Sequence, residues 1–233
     1  MSNHITSATL RPDTYPVSDR YPFSLPIFHE TKRIQFESPV TFFVGENGTG
    51  KSTLLEALTL ASNVHIWRKP EVSYRANPYE KLLCNHIILE WANGWTPGSY
   101  FGSETFNDFR NVVDSWAAAD PGQLKHFGGK SLVAQSHGQS MMSYFRSRYK
   151  IRGLYFLDEP ETALSPTSQL ALLDILRENA EAGHAQFIIA THSPILLTLE
   201  GAQIYSFDHS PVTEIGYKDT AYYKIYRRVL LGE

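Results

Sequence analysis

Residues 40–58 read Val40-Thr-Phe-Phe-Val44-Gly45-Glu-Asn-Gly48-Thr-Gly50-Lys51-Ser52-Thr53-Leu-Leu-Glu-Ala-Leu58. The uncharged, β-branched and aromatic run at 40–44 predicts a buried strand. Thr53–Leu58 is built from good helix formers. Between them lies G-x-x-x-x-G-K-[ST], and strand, glycine loop, helix is the context in which that pattern cradles a triphosphate. Gly45, Gly48 and Gly50 let the backbone turn and aim its N–H groups at phosphate oxygens. The helix start adds unpaired N–H groups and a positive dipole end. Lys51 is expected to reach the β- and γ-phosphates and Ser52 to ligate Mg²⁺. Glu46, Asn47, Thr49 and Thr53 complete the expected nucleotide-binding stretch. Gly129-Lys130-Ser131 repeats the last three letters, but Leu124 stands where the first glycine is required, so no second loop is read there.

The chain has 233 residues, 42% of them apolar and 19% charged, which suits a globular protein of one large domain or two small lobes. A net charge of −3 supplies no global basic field to draw it to nucleic acid or an anionic membrane. The one cysteine, Cys84, excludes an intrachain disulfide and a cysteine-based zinc site and is consistent with a reducing, cytoplasmic setting. No run approaches the roughly 20 apolar residues of a membrane helix, and the N-terminus lacks the charged start and apolar core of a secretion signal.

Three prolines in residues 1–22 suggest an extended lead-in. Phe23–Phe28 and Arg33–Glu37 are expected to be short strands of an antiparallel edge, and residues 51–62 a helix. Asn63–Tyr79 reads as loop, Asn85–Trp91 as a strand, and Asn93-Gly94 and Pro97-Gly98 as turns. Glu104–Ala119 and Gln139–Tyr149 have helical character. From residue 153 strands and helices alternate: strand 154–157, helix 168–182, strand 186–190, helix 194–199, strand 203–207. This order predicts an α/β fold with a mostly parallel sheet and flanking helices. The expected organisation is one domain over 1–233, with a nucleotide core in 1–92 and 153–233 and an inserted helical subdomain at 93–152. The tail Tyr222–Leu230 has apolar residues at helical spacing and is expected to dock as an amphipathic helix. The basic run Arg146, Arg148, Lys150, Arg152 reads as a solvated face.

Gly153-Leu-Tyr-Phe-Leu-Asp158-Glu159-Pro160 is an apolar strand that ends in two carboxylates. In open α/β sheets, ligands sit at the carboxyl ends of strands. Asp158 is therefore a candidate to hold Mg²⁺ or its water. Glu159 is the candidate general base for a water that attacks the γ-phosphate.

These motifs together resemble an ABC-type ATPase of the SMC-like kind. Gly45-Glu-Asn47-Gly48-Thr-Gly50-Lys51-Ser52-Thr53 is similar to that superfamily's phosphate loop, and Asp158-Glu159-Pro160 to its Walker B end. Ser136-His137-Gly138-Gln139 resembles its signature, Ala163-Leu164-Ser165-Pro166 its D-loop and Thr191-His192-Ser193-Pro194 its switch histidine. The five occur in the family's order between residues 45 and 193. The likeness is strongest to small stand-alone ATPases with Ser-His-Gly-Glu signatures, and it runs through most of the chain. It implies ATP and Mg²⁺ as cofactors and a P-loop fold of ABC-ATPase type. It also implies a head-to-tail dimer in which Ser136, Gly138 and Gln139 close over the partner's γ-phosphate. Lys51, Glu159 and His192 would be the catalytic groups, with His192 bonded to the γ-phosphate and orienting the water. Ser52 and Asp158 would be the metal ligands.

The sequence departs from the family at His137, where a glycine is usual, and at Ser165, where an aspartate is usual. No clear Q-loop glutamine follows the 85–91 strand, and Glu104 is the candidate for that place. Tyr21 is a candidate adenine-stacking ring. The expected function is Mg²⁺-dependent ATP hydrolysis coupled to an unidentified protein partner, in DNA maintenance or defence, with DNA contact open. The alternatives are an ATP-binding regulatory module with negligible turnover, a transporter subunit, and a small-molecule kinase.

Overall fold

The computed structural model describes residues 3–66, 77–127 and 129–232. Most of the expected 63–79 loop lies outside them. Two sheets form the frame. The larger has six strands in the order β5 (Gly98–Gly102), β6 (Gly153–Asp158), β7 (Ala185–Ala190), β3 (Val40–Val44), β8 (Gln203–Ser206), β9 (Thr213–Glu214). Its first five strands run parallel, and β9 is an antiparallel edge on β8. The smaller sheet is antiparallel, with β1 (Ile5–Leu10) between β2 (Arg33–Gln35) and β4 (Ile87–Trp91). The α/β class and mostly parallel sheet expected from the sequence are present, beside the antiparallel layer.

β3, β6 and β7 are buried almost end to end, as strands covered on both faces must be. On one face, α4 (His137–Arg148) and α5 (Pro166–Glu181) pack Phe145, Tyr149, Leu172 and Leu176 against Phe42, Tyr155 and Phe187. On the other, α2 (Lys51–Ala61) lays Leu54, Leu55 and Leu58 against Phe43, Phe156 and Ile188. α3 (Phe106–Ala119) precedes α4, and α6 (Ala221–Leu231) ends the chain.

Several local expectations are corrected. The proline-bearing lead-in contains β1, the central strand of the small sheet. Phe23–Phe28 is not a strand, because Pro26 stands at the first position of the short helix α1 (Pro26–Glu30), where its missing N–H costs nothing. Pro97-Gly98 does not close a turn but enters β5, which pairs with β6. The helical stretch after the phosphate loop thus starts at Phe106, after that strand. The expected helix at 194–199 shrinks to a single 3-10 turn, Leu196–Thr198. The tail is a helix, yet none of its residues is buried, and Val229 and Leu230 are 71% and 76% exposed. It docks through its first turn alone, where Tyr222 packs on the core.

Candidate functional site

The parallel strands bring their carboxyl ends to one rim. β3 delivers the loop at 45–50, β6 delivers Asp158 and Glu159, and β7 delivers Thr191 and His192. Gly45, Gly48 and Gly50 all take positive φ, at 144°, 80° and 102°. Gly50 caps α2 in the left-handed region, and a Cβ there would come within 3.0 Å of the Phe28 ring. Only glycine fits both demands. Glu46, Asn47 and Gly48 lie exposed at the loop crest, while Gly45 and Gly50 are buried. The Thr49 hydroxyl donates to Glu46 O at 2.9 Å and closes the loop.

Lys51 is buried at 5% exposure, and its ammonium donates to Gly45 O at 2.7 Å and to Glu46 O at 2.8 Å. Burial pulls its pKa down, and the Glu159 and Asp158 carboxylates oppose that. A phosphate entering the loop would offer oxygen acceptors of opposite charge to the same ammonium. The Ser52 hydroxyl donates to Asp158 Oδ1 at 2.9 Å. Asp158 Oδ2 accepts from the Tyr100 hydroxyl at 3.2 Å. Burial pushes the Asp158 carboxyl up to about 6, with Ser52 pulling the other way and Glu159 adding to the rise. A largely buried carboxylate beside a hydroxyl offers hard oxygen ligands to a divalent cation, whose charge would offset the desolvation.

Glu159 sits at φ +46°, left-handed for a residue with a side chain. Its amide donates to Ala190 O at 2.9 Å, so the strand pairing holds it there. Such strain clusters where a side chain must be aimed. Glu159 Oε1 lies 3.5 Å from His192 Nε2. The His192 amide donates to Glu161 Oε1 at 2.6 Å, and His192 Nδ1 lies 2.5 Å from the Tyr222 hydroxyl. Burial first, and Lys51 second, lower the His192 pKa. Glu161 is itself pushed up by burial.

Lys51, Ser52, Asp158, Glu159 and His192 are therefore brought together. Ser136, Gly138 and Gln139 are not. Ser136 caps α4: its Oγ accepts from Gln139 N, and the Gln139 side chain accepts from Ser136 N, a complete capping box. Among the described residues, neither forms a hydrogen bond to residues 45–52 or 158–159. Gly138 lies under the D-loop-like turn, since a Cβ there would meet Ala163 O at 2.9 Å. His137 Nδ1 is 3.2 Å from the Arg110 guanidinium. Ser165 caps α5 by accepting from Ser168 N, so serine there serves the helix. Glu104 follows β5 at the rim and is exposed. The Tyr21 hydroxyl lies 2.5 Å from Thr53 Oγ1, and Tyr21 lines a small cleft with Ser52, Thr53 and Glu80.

Four neighbours of the site escaped the sequence reading as site residues. Tyr100 and Glu161 flank the carboxylate pair. Asp208 holds the phosphate loop by accepting from Glu46 N at 3.0 Å. Tyr222 joins the tail to the loop, its hydroxyl donating to Gly45 O at 3.0 Å. Only Glu161 had a local signal, as the last acid of Asp158-Glu-Pro-Glu161; the others arrive across long stretches of chain.

Family models match two segments. Residues 25–68 match one described as "AAA domain", and residues 139–198 match one described as "AAA domain, putative AbiEii toxin, Type IV TA system". The first contains the phosphate loop, and the second contains Asp158, Glu159 and His192. A search of curated proteins finds no match. Among solved structures, the chain is similar to an SMC head bound to the C-terminal winged-helix domain of ScpA, at 12% identity and a TM-score of 0.54, covering 92% of this chain and 98% of that one. It is also similar to cbiO1 from Clostridium perfringens, part of the ABC transporter complex cbiONQ. There the identity is 16% and the TM-score 0.53, with 98% and 96% covered. At such identities the likeness is one of fold.

Proposed function

We propose that this P-loop ATPase of ABC/SMC-like fold binds ATP with Mg²⁺ and hydrolyses it at a site completed by a second copy of the chain. The observation that carries the reading is the cluster at the sheet rim: Ser52 bonded to Asp158 beside Lys51, with Glu159 and His192 facing each other at 3.5 Å. Ser52 and Asp158 would hold the cation, which supplies charge neutralisation of the phosphates. Gly45 to Thr53 hold the triphosphate through backbone N–H groups, and Lys51 turns from its two carbonyls to the β- and γ-phosphates.

Glu159 then takes a proton from a water placed in line with the γ-phosphorus. The water oxygen forms the new bond to phosphorus. The bond to the β–γ bridging oxygen breaks, and its electron pair leaves on ADP, giving ADP and phosphate. The aim of Glu159 is fixed by its strained backbone, so the carboxylate is held in place before nucleotide arrives. His192 holds the water on the other side.

The capping box on α4 satisfies the Ser136 and Gln139 amides and leaves those of His137 and Gly138, in the helix's first turn, for an anion. A partner's γ-phosphate is the anion that the family's head-to-tail arrangement would put there, and Ser136, Gly138 and Gln139 are the residues assigned to it. The partner gated by this cycle is assigned to DNA maintenance or defence. The fold likeness to an SMC head and the toxin–antitoxin family description support that assignment.

Steady-state phosphate release tests the enzyme reading. Glu159→Gln is expected to lose about 10²-fold or more in kcat while retaining ATP binding. Equal release by the wild type and the variant would refute Glu159 as the base. Added duplex DNA that leaves the rate unchanged would remove the DNA arm of the partner assignment.

A further inference from the structure

Residues 131–135 lie in no helix or strand, and they lead directly into Ser136 and α4. One face of α3 holds them. Arg110 and Asp114, one helical turn apart, take five backbone groups of the segment. Asp114 accepts from Leu132 N at 3.0 Å, from Val133 N at 3.3 Å and from the Ser131 hydroxyl. Arg110 Nε donates to Leu132 O at 3.0 Å, and Nη2 donates to Val133 O at 3.2 Å and to Gln135 O at 3.1 Å. Nη1 meets Asn107 Oδ1 at 3.3 Å and His137 Nδ1 at 3.2 Å. One turn earlier on the helix, the Phe106 ring packs edge-on against His137, with centroids 5.8 Å apart.

A guanidinium carries five N–H groups and no acceptor. Those of Arg110 meet five acceptors of its own chain: three carbonyls, one side-chain amide oxygen and one imidazole nitrogen. None is left over for a phosphate oxygen. Because Arg110 can only donate, His137 Nδ1 must accept, and the neutral ring then carries its proton on Nε2. Burial first, and the Arg110 charge second, hold the His137 pKa down, in agreement with a neutral ring. We propose that Arg110 is a positioning residue for the signature: it commits its whole guanidinium to α3 and residues 132–137, sets the start of α4 where the partner's γ-phosphate would meet it, and leaves His137 an Nε2–H donor in the helix's first turn. This rests on the two-copy hydrolytic reading for its consequence. An arginine beside an anion site otherwise reads as a ligand of the anion, and the two roles differ in what a lysine can replace. Lysine keeps the charge that attracts a phosphate, but its single ammonium cannot span three carbonyls and a ring nitrogen as the planar fork does.

Arg110→Lys and Arg110→Ala, each in the full-length chain that also carries Glu159→Gln, separate the roles by sedimentation with saturating ATP and Mg²⁺. Both are expected to weaken the dimer about tenfold or more, the worth of one or two hydrogen bonds. The Kd of the monomer for ATP is expected to stay within about twofold, because Lys51 and the phosphate loop are untouched. An Arg110→Lys chain that dimerises as its parent does would overturn the inference, since charge alone would then suffice. So would equal losses in dimerisation and in monomer ATP binding, which mark a general structural defect. ¹⁵N NMR of the nucleotide-free wild type, with His137→Gln to identify one signal among the nine histidines, is expected to show a protonated Nε2 and a bare Nδ1. A proton on Nδ1 would also overturn it. Should the Glu159→Gln parent stay monomeric, the two-copy reading fails and takes the consequence with it, while the tautomer still decides whether Arg110 holds His137. Should Arg110→Ala not fold, Arg110→Lys and the wild-type spectrum decide.

Discussion

Glu159 holds its backbone at φ +46°, where a side chain costs about 1–2 kcal/mol. Its carboxylate also lies close enough to Asp158 to raise that group's pKa. Glycine at 159 removes both penalties. Glu159→Gly is expected to raise stability by about 1 kcal/mol, roughly 2–4 °C in melting temperature, while abolishing turnover. A fall in melting temperature on that substitution would show that the position carries no strain. At this scale the sequence was legible wherever chemistry is local. Lys51, Ser52 and the glycines are set by an eight-residue pattern, and Asp158-Glu159 by a strand end. Tyr222 was not legible as a site residue, because its bond to Gly45 spans 177 residues and nothing in Tyr222–Leu230 distinguishes that tyrosine from a packing residue.

At the scale of elements, the two sheets are joined by a buried side chain. Gln186 Oε1, on β7, accepts from His4 N at 2.7 Å and Ile5 N at 2.9 Å, and its Nε2 donates to Ile5 O at 3.0 Å. Gln186 is fully buried, and so is Ile5. Gln186→Leu would keep the volume and orphan three backbone groups. At about 1–3 kcal/mol for each buried polar group left unpaired, the expected loss is about 3 kcal/mol or more, read by urea denaturation. A loss below about 1 kcal/mol would mean that the clamp does not hold the sheets.

That clamp also explains why β1 was invisible in the sequence. Ile5-Thr-Ser-Ala-Thr-Leu10 is short and half polar, and its partners are Arg33–Gln35 and Ile87–Trp91, far along the chain. Strand character there is conferred by pairing and not by the segment. β5 is similar, since two glycines and a serine in Gly98–Gly102 form a strand because β6 lies beside them. α1 is the opposite case, where Pro26 was a local signal for a helix start.

Over the whole molecule, the candidate chemistry falls into two groups on one chain. The rim of the large sheet gathers Lys51, Ser52, Asp158, Glu159 and His192. Ser136, Gly138 and Gln139 open α4, with no hydrogen bond to that rim among the described residues. No helix of the described residues is long and apolar enough to cross a membrane. The order of motifs along the chain foretold the sheet, because parallel strands must return through helices and each loop at the carboxyl rim carries one motif. It did not foretell which motifs would meet within one copy, since that depends on where α4 is anchored by contacts made across the chain.

The proposed cycle joins the two groups across two copies bound head to tail around ATP. Glu159→Gln should trap that state, because it removes the base and leaves the nucleotide-binding residues in place. The direct measurement is the solution mass of Glu159→Gln by light scattering, with and without saturating ATP and Mg²⁺. The account predicts a monomer that becomes a dimer only with both present, and a second substitution, Gly138→Arg, that abolishes the shift without abolishing ATP binding. A Glu159→Gln protein that binds ATP and stays monomeric at saturation would contradict it.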